Sequence, residues 1–170
     1  MSARESPAEP VREQFVERYG GIYEHSAWVA EETYAVAADI SDADSLAKVF
    51  ASCVDDAPHD RKLTLIRAHP DLAGKAAIAG DLTEESSTEQ SSAGIDQCTP
   101  AEYEQFQSLN AQYTAKFGFP FVMAVRNSNR GDILRVFAAR LQNDKDTEFA
   151  AAIAEIHNIA RMRLVALDRS

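Results

Sequence analysis

The side chains best suited to chemistry fall in two short segments, Arg67-Ala68-His69-Pro70-Asp71-Leu72-Ala73-Gly74-Lys75 and Ser86-Ser87-Thr88-Glu89-Gln90. The first sets a histidine against a proline. Proline disfavours helical geometry in the residue before it, so the helix leading into this segment must stop near Ala68. An imidazole on backbone restrained in that way is a well-held proton donor or acceptor near neutral pH. The same side chain could instead cap the helix by bonding its last carbonyls. Read as a helix, the second segment puts Ser86, Glu89 and Gln90 on one face, three and four residues apart. One carboxylate facing one imidazole suffices for proton transfer without metal or cofactor. A run as polar as residues 84–92 also suits a solvated helix face, and periodicity alone favours that reading.

Helices must position these groups. Pro10 reads as a first-turn proline, followed by the apolar stripe Val11, Phe15, Val16 and Tyr19, with Gly20-Gly21 as the stop. Further helices are predicted over about 26–34, from Ser41 with Leu46, Val49, Phe50 and Val54 on one face, and from Pro58 to Ala68. Residues 71–80 suit a helical turn, and 83–93 a polar helix closed by Gly94. Thr99-Pro100-Ala101-Glu102 is a capping box with proline at the first helical position, opening a helix that Gly118 closes. The apolar run 119–125 contains a proline and fits either an extended segment or a buried helical turn. Two last helices run over about 131–142 and 147–167. With roughly eight helical segments and no paired strands, the fold class is all-α: a compact bundle in one domain, residues 10–170, behind a disordered tail at residues 1–9 rich in Ser, Glu and Pro.

Composition narrows the function. A chain of 170 residues, 45% of them apolar, can bury a proper core. No apolar run approaches the roughly 18 residues of a membrane span. Neither the polar start MSARESPAEP nor the end Leu167-Asp168-Arg169-Ser170 matches a targeting or lipidation signal, so a cytoplasmic protein is expected. A net charge of −10 repels nucleic acid and anionic membranes alike. An anionic substrate would then need a local cation. Arg161 and Arg163 lie two apart on the last helix and point to different faces, so at most one turns inward. Arg126 follows an apolar run and could do the same, whereas Arg67 reads as structural. Cys53, in an apolar stretch, and Cys98, before a helix start, show no disulfide or zinc spacing. His25, His59 and His157 show no metal-ligand spacing, and no phosphate loop or nucleophile elbow is present.

Taken together, Arg67-Ala68-His69-Pro70-Asp71-Leu72-Ala73, Ser87-Thr88-Glu89-Gln90, Ala93-Gly94, the run Leu109 to Val122, Ile133-Leu134, Arg140-Leu141, Asn143-Asp144, Glu148 and Ile156-x-x-Ile159-Ala160-x-x-Arg163-Leu164 resemble the OHCU decarboxylases of urate catabolism. OHCU is 2-oxo-4-hydroxy-4-carboxy-5-ureidoimidazoline. The resemblance spans residues 15–164. It implies an all-α homodimer that removes the OHCU carboxylate as carbon dioxide and yields (S)-allantoin, with no cofactor and no metal. By position, His69 matches the catalytic histidine and Glu89 its carboxylate partner. Pro70, Ser86, Ser87, Thr88, Glu89, Gln90, Phe121, Val122, Met123, Ala124, Val125 and Arg163 match substrate-contacting positions. Phe119 or Phe121 could pack on the substrate ring. A carboxylate beside the imidazole favours its charged form. Asn127-Ser128-Asn129 departs from the Gly-containing stretch of many members.

Other classes fit less well. A silent binding module for a purine-derived ring would have lost His69 or Glu89. A metal-dependent hydrolase needs at least two more convergent ligands than the spacing supplies. A pure dimerisation scaffold does not suit so polar a helix in an interface core.

Overall fold

The computed structural model describes residues 9–168, apart from the side chains of residues 9, 10, 75 and 76. Among the described residues there are nine α-helices, one 3-10 turn and no strand, so the all-α expectation holds. Helix α1 (Glu9–Tyr19) starts one residue before the proline, which places Glu9 in the helix and not in the tail. Pro10 stands in the first turn, where its missing N–H leaves no bond unmade. The tail expected at residues 1–8 lies outside the described residues.

The chain falls into two compact units. One takes the chain up to Leu65 together with the chain from Ala160. It contains α1, α2 (Trp28–Ala37), α3 (Ala43–Asp55) and most of α4 (His59–Arg67). Its core gathers Phe15, Tyr34 and Phe50, whose rings meet edge-on, with Leu46 and Val54 fully enclosed. Val11 stays half-exposed although it lies on the apolar stripe, because it sits on the helix's first turns. Cys53 is half-buried rather than part of the core.

Helix α3 shows how local chemistry sets an element's start. The Asp42 side chain accepts a hydrogen bond from the Ser45 N–H at 2.8 Å, capping the helix. Hydrogen bonding by the Ser45 hydroxyl and N–H holds this carboxyl below its ordinary 3.8. A carboxyl lowered on folding stabilises the fold above its unfolded pKa, and that contribution is lost as pH falls through the folded value. Asp42→Asn keeps an acceptor at the cap but removes the charge. The wild type is therefore expected to melt above Asp42→Asn at pH 7, and the gap to close as pH drops below 3.8. Paired melts across pH 2–7 check this; a gap constant over that range defeats it.

The second unit, Ile66–Ile159, carries both candidate segments. It comprises α5 (Lys75–Ala79), α6 (Glu84–Ser92), the 3-10 turn Ile95–Gln97, α7 (Pro100–Phe117), α8 (Arg130–Arg140) and the first part of α9 (Lys145–Asp168). The capping box at Thr99 forms in full, with Thr99 and Glu102 each accepting from the other's N–H. Gly118 ends α7 at φ +78°, a left-handed conformation that costs glycine nothing and a side-chain-bearing residue much more. Residues 119–125 are not helical and form no regular element. Tyr113, Phe117, Phe119, Phe121 and Phe137 form one aromatic cluster beside Phe106, Ile133 and Ile156, all buried to within 1%.

An ion pair between the enclosed Glu148 and the mostly buried Arg140 runs through this cluster. Glu148, 0% exposed, accepts from the Tyr113 hydroxyl at 2.6 Å and Arg140 Nε at 2.9 Å on one oxygen, and from Asn143 Nδ2 at 3.1 Å on the other. Burial first, then the bond to Glu148, raises the Tyr113 hydroxyl above its ordinary 10.0. Arg140 also donates from Nη1 to the Val122 carbonyl at 2.7 Å and lies 4.5 Å over the Phe121 ring. The pair thus ties down the irregular segment after α7.

Candidate active site

Three segments of the second unit are tied together around His69. The histidine follows the end of α4 and is 7% exposed; its N–H donates to the Ile66 carbonyl at 3.1 Å, closing the helix ahead of Pro70. Two residues earlier, Arg67 Nε donates to the Gly118 carbonyl at 3.1 Å, fastening this corner to the start of the 119–125 segment. Arg67 is structural, as its position suggested. Two residues after His69, Gln90 takes over. Its Oε1 accepts from Ala73 N at 3.2 Å and its Nε2 donates to the Asp71 carbonyl at 3.4 Å, so α6 is fastened to the chain just past the histidine.

Helix α6 turns three side chains inward: Ser86 at 3% exposure, Glu89 at 9% and Gln90 at 5%. These are the three that the helical spacing groups on one face. The solvated-face reading therefore fails for them, although nothing apolar draws the helix inward. Thr83 caps it through Ser86 N at 3.2 Å, and Arg130 holds its far end by donating to the Gly94 carbonyl at 2.8 Å. Ser87 and Thr88 are exposed. Ser87 and Gln90 also line a neighbouring cavity of about 500 Å³ with Ala73, Ile95, Cys98 and Tyr103, a space that His69 and Glu89 do not line.

The 121–125 segment corrects one expectation. The Phe121 ring is stacked on Phe137 with centroids 3.9 Å apart and covered by Arg140, and Phe119 is enclosed by Tyr113, Phe117 and Phe149. Both rings are 1% exposed, so neither is presented to a ligand; the aromatic core has claimed them. The segment's backbone is the part left to act. The Ala124 N–H donates to Glu155 Oε2 at 3.1 Å. The N–H groups of Val122, Met123 and Val125 make no hydrogen bond among the described residues. The loop beyond it accommodates Asn127 at φ +67°, a left-handed turn that asparagine tolerates better than most residues, and Asn129 caps α8. Residues 127–129 thus supply a left-handed turn and a helix cap without a glycine.

The arginines sort as their spacing required. Arg161 is exposed and pairs with Asp44. Arg163, 5% exposed, pairs in the first unit with the buried Glu24 at 2.8 Å and donates to the Gly21 carbonyl at 3.2 Å. Arg126 is half-buried and makes no ion pair among the described residues. Gln107, which lies outside every motif, and Asn110, which lies in the Leu109–Val122 run without a role assigned to it, bond the 72–73 backbone. Asn110 had a signal: it stands on the apolar face of α7 in register with Phe106, Tyr113 and Phe117. Among the described residues no group of three His, Cys, Asp or Glu side chains is placed to hold a metal ion. No helix there is long and apolar enough to cross a membrane.

The second unit thus holds a buried imidazole, His69, and a buried carboxylate, Glu89, within an all-α frame. The comparisons supply the class. The family model for OHCU decarboxylase matches residues 10–165, and the chain belongs to that family. It is 42% identical over 153 residues to the 2-oxo-4-hydroxy-4-carboxy-5-ureidoimidazoline decarboxylase of Halalkalicoccus jeotgali, covering 90% of this chain and 84% of that one. It is 41% identical to the Haloferax volcanii protein of the same name, covering 89% and 88%. A crystal structure of OHCU decarboxylase in the presence of (S)-allantoin shares the fold, with a TM-score of 0.73 at 17% identity over 90% of this chain and 99% of that one.

Proposed function

We propose that the protein decarboxylates OHCU to (S)-allantoin in urate degradation, with His69 and Glu89 as its acid–base pair. The observation that carries this reading is the burial of both side chains in one unit, on segments fastened within two residues of His69 by Gln90, at the Asp71 carbonyl, and by Arg67. Breaking the bond between the ring carbon and its carboxylate releases carbon dioxide and leaves an electron pair on the ring. The ring's own carbonyl and imine delocalise that pair, so the reaction requires no external electron sink. The enzyme must orient the carboxylate, stabilise the developing charge and deliver one proton to one face.

His69 is the proton donor in this scheme, and Glu89 orients it and favours its charged form. Ser86 and Gln90 contact the ring and ureido group. The N–H groups of Val122, Met123 and Val125 suit the oxyanion that forms. Pro70, Ser87 and Thr88 retain the substrate contacts that the resemblance implies. Residues 10–170 act as one catalytic module, in a cytoplasmic homodimer; sedimentation of the purified protein reads the dimer.

The test generates OHCU in situ from urate and follows allantoin by optical activity. Spontaneous decay gives racemic product, so enantiomeric excess isolates the enzyme's contribution. Enrichment of the S form that survives exhaustive EDTA treatment is expected. Racemic product at the spontaneous rate, or activity lost to EDTA and restored by a divalent metal, defeats the proposal.

A further inference from the structure

The turn that follows His69 has no regular secondary structure, yet its carbonyls are taken in sequence by side-chain amides. Gln90 Nε2 reaches the Asp71 carbonyl at 3.4 Å, Asn110 Nδ2 the Leu72 carbonyl at 2.9 Å, and Gln107 Nε2 the Ala73 carbonyl at 2.7 Å. Gln90 Oε1 also takes the Ala73 N–H. The three amides come from two helices, α6 and α7. Between them Ala73 sits at φ +53° and only 5% exposed, in the left-handed region that alanine rarely adopts. Gly74 completes the pinch, since a Cβ there would lie 2.7 Å from Asp71 Cβ.

Asn110 shows the demand for this arrangement. It is 7% exposed, and its Oδ1 is buried with no hydrogen-bond partner among the described residues. A core position that needed only bulk would carry leucine. Asparagine leaves an acceptor unmet there in order to supply one donor to Leu72. Strain of this kind persists only where the surroundings over-determine it, and it gathers at functional sites.

We propose that Gln107 and Asn110 are positioning residues for His69: with Gln90 they clamp residues 71–73 in a strained left-handed turn that sets where the imidazole stands. Neither touches the substrate. The proposal rests on the reading of His69 as the catalytic acid. Misplacing a catalytic group by about 1 Å costs on the order of 100-fold in rate. A clamp that served stability alone would lower the melting temperature and leave turnover per folded molecule unchanged.

The experiment measures kcat and KM for OHCU decarboxylation in the wild type, His69→Ala, Gln107→Ala and the double variant Gln107→Ala/Ala73→Gly. Gln107 is half-buried, so its truncation opens no core cavity. Gln107→Met, which removes the donor but keeps the length, gives the same comparison if the alanine variant folds poorly. Loss of the Gln107 donor is expected to lower kcat roughly 10-fold to 100-fold with little change in KM. Glycine at position 73 adopts the left-handed turn without help, so the double variant is expected to recover most of that loss. Wild-type kcat in Gln107→Ala, or a loss that glycine does not repair, overturns the clamp's role while leaving the decarboxylase reading intact. Equal turnover by wild type and His69→Ala overturns the reading of His69, and the clamp's role with it.

Discussion

His69→Ala is expected to lower the rate of OHCU decarboxylation by about 10²–10⁴-fold, the usual contribution of a positioned general acid. Removing the imidazole leaves the substrate's electron sink in place, so the ring can still lose carbon dioxide slowly. What disappears is protonation on a chosen face, and the optical purity of the allantoin should fall together with the rate. The helical circular-dichroism spectrum should persist, because the corner is also held by Arg67 on Gly118 and Gln90 on residues 71 and 73. Glu89→Gln separates charge from shape. The amide is nearly isosteric and stays hydrogen-bonding, but it cannot favour a charged imidazole, so a loss of similar order is expected. Either variant running within about twofold of wild type would remove that residue from the acid–base pair.

The largest expected effect on stability lies away from the catalytic pair, at Glu148. Its carboxylate is fully enclosed and answers three donors, one of them the Arg140 guanidinium, itself only 12% exposed. Glu148→Ala leaves that charge buried without its counter-ion and the Tyr113 hydroxyl without its acceptor. Breaking a buried pair by removing one partner costs about 3–5 kcal/mol, because desolvation of the surviving charge is no longer offset. For a chain of this length that corresponds to roughly 6–20 °C in melting temperature. The effect should also reach the site, since Arg140 holds the Val122 carbonyl and covers Phe121. Replacing the pair together, Glu148→Met with Arg140→Met, is expected to be milder than Glu148→Ala alone, as uncompensated charge is the main cost. Calorimetric melts of the three proteins decide it; equal losses in the single and double variants would refute the argument.

Much of this fold was legible because its boundaries are written in local chemistry. The Thr99 capping box, the glycines at 94 and 118, and the proline after His69 each act through neighbouring backbone atoms, so sequence alone locates them. The inward face of α6 was legible only as a grouping. Spacing put Ser86, Glu89 and Gln90 together, but a helix without apolar residues gives no sign of which way it turns. Gln90 turns toward the Asp71 carbonyl and the Ala73 N–H, backbone atoms that no side-chain pattern records. Gln107 was missed for the same reason. Asn110 and Glu148 left a fainter trace, each a polar residue in register with a buried apolar face: Phe106, Tyr113 and Phe117 for one, Ala152 and Ile156 for the other. A polar residue intruding on an apolar stripe in this way signals a buried polar bond, because burial without a partner would be too costly. The rings of Phe119 and Phe121 were misjudged because an aromatic side chain beside a site suits core and ligand equally, and the count of neighbouring aromatics favoured the core.

Helix α6 carries Glu89, the proposed acid–base carboxylate, on the sequence EESSTEQSS, which contributes no apolar side chain to the core. Its place depends on polar bonds, and packing exerts almost no control over its composition. A gene copy released from selection could therefore exchange Glu89 or Gln90, lose turnover, and still bury the same aromatic cluster and melt at nearly the same temperature. In this chain, loss of turnover and loss of fold are therefore expected to be separable events. A sequence that keeps every core residue is no guarantee of a working enzyme; α6 and the turn it grips are the place to look.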